Sequence, residues 1–377
     1  MILSQEHQML RDAVRQYASA QLAPNAAAWD RDAAFPKEAL KGLAAMGLYG
    51  VAIPQEWDGA GMDHTALALA LEEIAIGDGA TSTIVQVNNL AAGILLGYGT
   101  PAQKERYLKP LARGDMLGAF ALTEPHTGSD ASAIRTRAER SGDGYVLDGV
   151  KQFITSGKYA DVAVVFAVTN KAAGKKGISA FVVPTSTPGY VVARVEEKTG
   201  QHASDTAQIV LERCRIPAAN LLGTEGEGYR IALANLESGR INVAAQSVGM
   251  AQSALDAALK YARERTTFGK PLIEHQAVNF RLADMATGIE AARQLYLHAA
   301  ALRDQGLPCL KEASMAKLFA SETAEKVCSD AIQLHGGYGY LRDFPVERIW
   351  RDVRVTQIYE GASDIQRMVI GRSIAGG

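Results

Sequence analysis

Near the end of the chain, Tyr359-Glu360-Gly361 sets a carboxylate between an aromatic ring and a glycine, ahead of an apolar-periodic stretch with Ile365, Met368 and Val369. A glutamate on a glycine turn at a helix start can be held rigidly and screened from water. Desolvation raises a carboxylate pKa toward neutrality, which suits a general base. The ordinary alternative is an acid that stabilises a helix start through the dipole. Four other segments carry groups suited to ligand binding. Leu122-Thr123-Glu124-Pro125-His126-Thr127-Gly128-Ser129-Asp130 packs hydroxyls, a glycine and a proline into one tight loop, which can present N–H groups to an anionic or polar ligand. Phe153 and Thr155 lie two apart in Lys151-Gln152-Phe153-Ile154-Thr155-Ser156-Gly157, so extended chain sets ring and hydroxyl on one face. Alone, that segment reads as a half-buried edge strand. Arg265-Thr266-Thr267-Phe268-Gly269-Lys270 pairs a charge with a ring three residues on, or is simply a basic helix C-terminus. Gln333-Leu334-His335-Gly336-Gly337-Tyr338-Gly339-Tyr340 clusters glycines after a helix, where backbone could approach a pyrophosphate or another chain, or merely end the helix.

Other chemistries find no support. Gly223, Gly226 and Gly228 have the wrong order for a dinucleotide fingerprint and no βαβ alternation around them, so they read as an interdomain turn. No Walker sequence, H-E-x-x-H or clustered Cys/His set occurs, and the seven histidines are scattered, so no metal site is expected. Lys plus Arg is 39 against 41 Asp plus Glu, too balanced to attract nucleic acid or an anionic membrane. Three widely spaced cysteines suggest no disulfide framework and a reducing compartment. The start has no basic-then-apolar signal, and no apolar run approaches a membrane span. A cytoplasmic protein without a transit peptide is expected.

The elements that must position these residues change character twice. Helical patterns run from a cap at Ser4 through Leu10, Val14 and Tyr17, a helix opening at Pro36, another through Leu67, Leu71 and Ile74, and a capping box at Thr100–Gln103. From about Gly118, short β-branched or aromatic runs follow: Tyr145–Leu147, Val162–Val168, Ile178–Val183, Tyr190–Val195 and Gln208–Leu211. They predict a small antiparallel sheet domain. Helical pattern returns at Tyr229, with Ile241, Val248, Leu255 and Leu259 on one helix, Leu282, Met285, Ile289 and Leu295 on a second, and Met315, Leu318, Phe319 and Val327 on a third.

Taken in order, these motifs resemble the acyl-CoA dehydrogenase family over essentially the whole chain. The Leu122–Asp130 run resembles its first signature, and the Gln333–Tyr340 run, continuing through Asp343, Arg348 and Asp352, its second. The resemblance implies an α+β, mainly α fold: a helical N-terminal domain (1–117), a middle antiparallel β-barrel domain (118–226) and a C-terminal four-helix bundle (227–377). It implies FAD held by Leu122, Thr123, Ser129, Phe153, Thr155, Ala362 and Asp364, with Arg265, Phe268, Gln333, Gly336 and Gly337 touching the FAD of a neighbouring subunit in a homotetramer. Ser129, Arg240, Tyr359 and Gly361 are then substrate-side residues, and Glu360 is the catalytic base. The implied reaction is dehydrogenation of an acyl-CoA to a trans-2-enoyl-CoA, with electrons passed to an electron-transfer flavoprotein. Two other readings share the fold: an oxygen-using oxidase or monooxygenase, and a non-catalytic acyl-CoA-binding flavoprotein.

The chain departs from the family pattern at His126, where glycine is usual, at His202, where arginine is usual, and at Ala362, where threonine is usual. Some relatives carry the base on an earlier helix, but that position falls on Gly239 here. Thr81 to Gly99 is expected to border the acyl tail and holds no Lys or Arg. Val87-Asn88-Asn89 and Lys175–Phe181 resemble the short-chain branch, so a short or short-branched acyl group is expected. The chain end near Gly377 suggests that the long C-terminal extension of membrane-associated relatives is absent.

Overall fold

The computed structural model describes residues 2–376. The first section holds α1 (Gln5–Tyr17), α2 (Ala26–Asp32), α3 (Lys37–Ala45), α4 (His64–Gly77), α5 (Gly79–Tyr98), α6 (Pro101–Gln103) and α7 (Lys109–Arg113). Ser4 caps α1 through a bond from the His7 N–H, and Thr100 with Gln103 closes a reciprocal capping box on α6. Asp78 ends α4 and caps α5, accepting from the Thr81 N–H at 2.8 Å. The two most apolar helices of this section are therefore joined by one residue.

The middle section is one eight-stranded sheet of β1 (Gly118–Ala121), β2 (Arg137–Ser141), β3 (Gly144–Thr155), β4 (Val162–Val168), β5 (Ile178–Pro184), β6 (Tyr190–Val195), β7 (Thr206–Pro217) and β8 (Leu221–Leu222). Its path runs β6-β7-β3-β2-β4-β5-β8, with β1 on β4. The sheet is not purely antiparallel as expected. β1 and β2 both run parallel to β4: the whole β2–β3 hairpin lies between β1 and β4 in sequence, and β3 lies between β2 and β4, which supplies the long connections that parallel pairing needs. The Lys151–Gly157 segment keeps a strand partner on one side only, because β2 pairs with Gly144–Asp148 and β7 alone with Lys151, Ile154 and Thr155. It ends β3, which lies between β7 and β2, and its register slips between Lys151 and Ile154. Phe153 sits in that bulge at φ 60°, so simple alternation does not set its direction.

The last section holds α8 (Gly228–Glu264), α9 (Gln276–Asp304), α10 (Leu310–His335), α11 (Pro345–Val353) and α12 (Ser363–Ile374). Its core is completed by α4, which is apolar nearly all round and contributes Ala68, Leu69 and Ala75 to the same buried cluster. Glu72 of α4, buried, receives Arg293 at 2.8 Å and the hydroxyl of Tyr296, both from α9. On α10 the buried face is Ala313, Ala316, Ala320 and Ala324, with Val327. The larger Met315, Leu318 and Phe319 of the expected stripe point away from it, Phe319 to solvent. Small residues win the inner face because they let long helices lie close together.

One local expectation fails. Arg265–Lys270 is not a continuing helix end but a hairpin of β9 (Thr266–Thr267) and β10 (Lys270–Pro271). Phe268 and Gly269 form its tip with φ of 50° and 80°, the backbone of a tight two-residue hairpin turn. Among the described residues, no helix is long and apolar enough to cross a membrane.

Candidate active site

The sheet, α5, α8 and the turn before α12 enclose a cavity of about 1250 Å³. Leu122, Thr123, Ser129, Phe153, Thr155, Arg240, Tyr359, Glu360 and Gly361 all line it. Residues up to 239 positions apart in the chain, Leu122 and Gly361, thus share one space. Ala362 and Asp364 do not line it: Ala362 is the N-cap of α12, and the Asp364 side chain is turned to solvent.

The turn that carries Glu360 is held from outside. Glu360 and Gly361 take φ of 53° and 87°, a region that costs a residue with a Cβ about 1–3 kcal/mol. Lys317, buried on α10, donates to the Gly361 carbonyl at 2.8 Å. The buried Gln366 amide donates to the same carbonyl at 2.8 Å and to that of Glu360 at 3.1 Å. Among the described residues, no protein acceptor meets the N–H of Glu360. This turn is therefore held rigidly, and the Glu360 N–H is among the donors it leaves free.

The carboxylate of Glu360 rests on bare backbone of α8. A Cβ at Gly239 would stand 2.6 Å from its Oε2 and 2.9 Å from its Cδ. Oε2 is buried without a partner. Part of the side chain meets cavity space, yet protein atoms surround it closely enough that burial pushes its pKa up to about 7, against the pull of Arg240 and Lys317. The same burial lowers Lys317 to about 8 and lowers Arg240 from the usual guanidinium range. A carboxylate titrating near neutrality, without a hydrogen-bond partner and on a residue that lines a cavity, is equipped to take a proton.

Tyr359 is fixed by a buried relay. Its hydroxyl donates to Gln246, whose amide donates to the Gly79 carbonyl at 2.9 Å and also meets the Thr83 hydroxyl. Thr83 donates to Gln201 at 2.7 Å, and Gln201 donates to the Asp352 carbonyl at 3.1 Å. The Asp352 carboxyl, between Arg348 and Asp78, is pushed up to about 7 by burial. His202, at the expected arginine position, lies 3.0 Å from Asp30, which also pairs with Arg351 at 2.7 Å.

The loop at 122–130 is anchored by a pair drawn from two motifs, Glu124 of the loop and Lys151 of the following segment. Lys151 is fully buried and donates to Glu124 at 2.8 Å and to the Leu122 carbonyl at 3.1 Å. Glu124 also accepts from the N–H groups of Arg135 and Thr136 at 2.6 and 2.9 Å. These bonds hold Glu124 below the usual carboxylate range, while burial pulls Lys151 down to about 8. His126 caps the same loop, 3.1 Å from the Ala133 carbonyl. Lys151→Met leaves Glu124 charged and buried without its cation, a loss of about 3 kcal/mol. Thermal unfolding of the variant is expected to show a lower midpoint; an unchanged midpoint removes Lys151 from this role.

A second recess, of about 390 Å³, gathers Arg265, Gln333, Gly336 and Gly337 with Tyr261, Tyr338 and others. The Arg265 guanidinium lies 5.8 Å from the Tyr338 ring centroid. Phe268 stands beside it on the hairpin tip, 98% exposed. These five residues do not line the main cavity.

Comparison with known proteins decides the family. The acyl-CoA dehydrogenase N-terminal, middle and C-terminal domain models match residues 4–115, 119–214 and 226–375. The chain belongs to the acyl-CoA dehydrogenase family. The short-chain specific acyl-CoA dehydrogenase of Rattus norvegicus mitochondria is 47% identical, over 98% of this chain and 90% of its own. The butyryl-CoA dehydrogenase structure from Megasphaera elsdenii superposes with a TM-score of 0.98 at 40% identity, covering 100% of this chain and 99% of that one. A chain in a structure described as the electron transferring flavoprotein of Acidaminococcus fermentans matches with a TM-score of 0.98 at 44% identity, covering 99% of each. Family members are oxidoreductases, and the three-section fold above is theirs. Sequence reading missed Lys317, Gln366 and Gln246 as supports of the 359–361 turn, because single polar residues inside helices carry no spacing signal.

Proposed function

We propose that the protein is an FAD-dependent dehydrogenase of short or short-branched acyl-CoA thioesters, with Glu360 as the base. The observation that carries this reading is Glu360, with its Oε2 buried and unpartnered, lining one cavity with Phe153, Thr155 and the 122–130 loop. The lining fits FAD: Phe153 keeps 63% of its surface free for a flat ring, and Leu122, Thr123, Ser129 and Thr155 surround it with an apolar wall and hydroxyls. When bound, FAD supplies the two-electron acceptor for the β-hydride.

The chain's own residues do the rest. Glu360 takes the α-proton, and its free N–H is available to the thioester oxygen, where charge develops. Tyr359 and Arg240 wall the reacting carbons, and Lys317 and Gln366 keep the base from swinging. The released product is a trans-2-enoyl-CoA, and an electron-transfer flavoprotein is the proposed onward acceptor. The butyryl-type relatives support the short acyl group.

The test is anaerobic flavin bleaching by acyl-CoAs of graded length and branching. Bleaching is expected to peak with short chains; no bleaching by any of them overturns the reading. Turnover with an electron-transfer flavoprotein or dye, against oxygen uptake, separates a dehydrogenase from an oxygen-using oxidase.

In the same reading Arg265, Phe268, Gln333, Gly336 and Gly337 reach the FAD of a neighbouring subunit in a homotetramer. Their own recess and the bare Phe268 ring support it. Arg265→Ala is then expected to lose flavin on dialysis severalfold faster than wild type. Equal flavin retention assigns that recess elsewhere.

A further inference from the structure

We propose that the acyl end of the main cavity is built for a neutral, hydrogen-bonding tail, read by the amide of Gln86, rather than for a plain alkyl tail. The inference rests on the reading above, in which the acyl thioester lies with its α-carbon at Glu360.

The row that α5 turns into the cavity is Thr83, Gln86, Val87 and Leu90. Its spacing of three, four and seven residues is that of one helix face. Val87 and Leu90 suit an alkyl chain, but Gln86 does not. It is 2% exposed, and among the described residues its Oε1 has no hydrogen-bond partner. The other buried polar groups of this helix are engaged. Thr83 bonds Gln201. Asn88 donates to the Tyr49 and Leu111 carbonyls and accepts from the Gly118 N–H. Asn89 donates to the Leu48 and Val85 carbonyls. A buried amide left unpaired is costly, and the cost is removed when a ligand supplies the partner. Among the described residues, Gln86 is thus the buried polar side chain of α5 with an acceptor left to a ligand.

The tail it fits is uncharged. The stretch Gly79–Tyr98 holds no Lys or Arg to balance an anion. Glu237, which lines the same cavity, adds a carboxylate there, and its Oε1 is already taken by Arg303 at 3.2 Å and Cys309 at 3.2 Å. Because an amide has both a carbonyl and an NH₂, a hydroxyl, carbonyl or amide on the tail would satisfy it.

Valeryl-CoA and ω-hydroxybutyryl-CoA test this cleanly, since they differ only by a terminal methyl against a hydroxyl. Anaerobic flavin reduction of the holoenzyme by each, read as kcat/KM, is expected to favour the hydroxy substrate by about tenfold. Gln86→Leu is expected to invert that ratio, mainly through KM, with flavin content kept. Glutaryl-CoA, the anionic arm, is expected to be poorer than both. A wild-type preference for valeryl-CoA, a ratio unchanged in Gln86→Leu, or a preference for glutaryl-CoA overturns the inference. The wild-type comparison alone decides it if the variant fails to fold. Reduction by both substrates without discrimination also overturns the inference and leaves the proposed activity standing. No reduction by any acyl-CoA, butyryl-CoA included, sinks the proposed activity and this inference with it.

Discussion

Glu360→Gln is expected to keep its flavin and its assembly but to lose flavin bleaching by acyl-CoA by about three orders of magnitude, within the range for a general base. The amide is nearly isosteric, so the packing against Gly239 and the bonds from Lys317 and Gln366 to the turn survive. What it removes is the only group on that turn able to accept a proton. The wild-type pH profile gives an independent check. Burial holds Glu360 up at about 7, so at lower pH the carboxyl is protonated and cannot act as a base. Single-turnover kcat/KM is therefore expected to rise about tenfold per pH unit below that value and to level off above it. Bleaching at the wild-type rate in Glu360→Gln, or a profile that falls with rising pH through neutrality, removes Glu360 from the reaction.

The second large effect comes from a residue without a side chain. In Gly239→Ala the new methyl would stand 2.6 Å from Glu360 Oε2, too close for either to stay. The far end of a glutamate moves more easily than α8, so the carboxylate swings and the fold holds. A displacement of about 1 Å at the reacting group costs on the order of a hundredfold in rate. Replacing glycine by alanine inside a helix raises its intrinsic stability by about 1 kcal/mol. Activity and stability are thus expected to move in opposite directions, a pairing that general damage to the fold does not produce. A variant with wild-type bleaching kinetics would show that the carboxylate does not need its seat on α8.

The contact between Glu360 and Gly239 also gives physical meaning to a choice that looks arbitrary in the sequence. The two positions lie 121 residues apart, yet the carboxylate of one fills the space that a side chain on the other would need. A glutamate at 239 and one at 360 could not both keep their present backbones and point into the same volume. In the proposed mechanism the base sits on the turn, at a point where α8 is bare.

Much of the frame was legible in the residues. Short β-branched and aromatic runs marked β4, β5 and β6 closely, and caps at Ser4 and Thr100 marked helix starts, because these signals are local. The family resemblance then assembled the site, and most of its residues do line one cavity. What stayed hidden depends on partners far away in sequence. The hairpin at Thr266–Pro271 reads as a basic helix end until β9 and β10 are seen to pair. The large residues of α10 look like its core face, and only packing shows that alanines take that place.

By itself, then, the sequence determined which groups could do the chemistry and in what order the helical and sheet sections come, since residue type and periodicity are properties of the chain alone. Only the tertiary structure decided that Glu360 lies against Gly239, that Lys151 and Glu124 brace the loop, and that Gln86 faces the cavity unpaired. Desolvation, charge pairing and an unmet hydrogen bond are set by neighbours in space, and those neighbours come from every section of the chain.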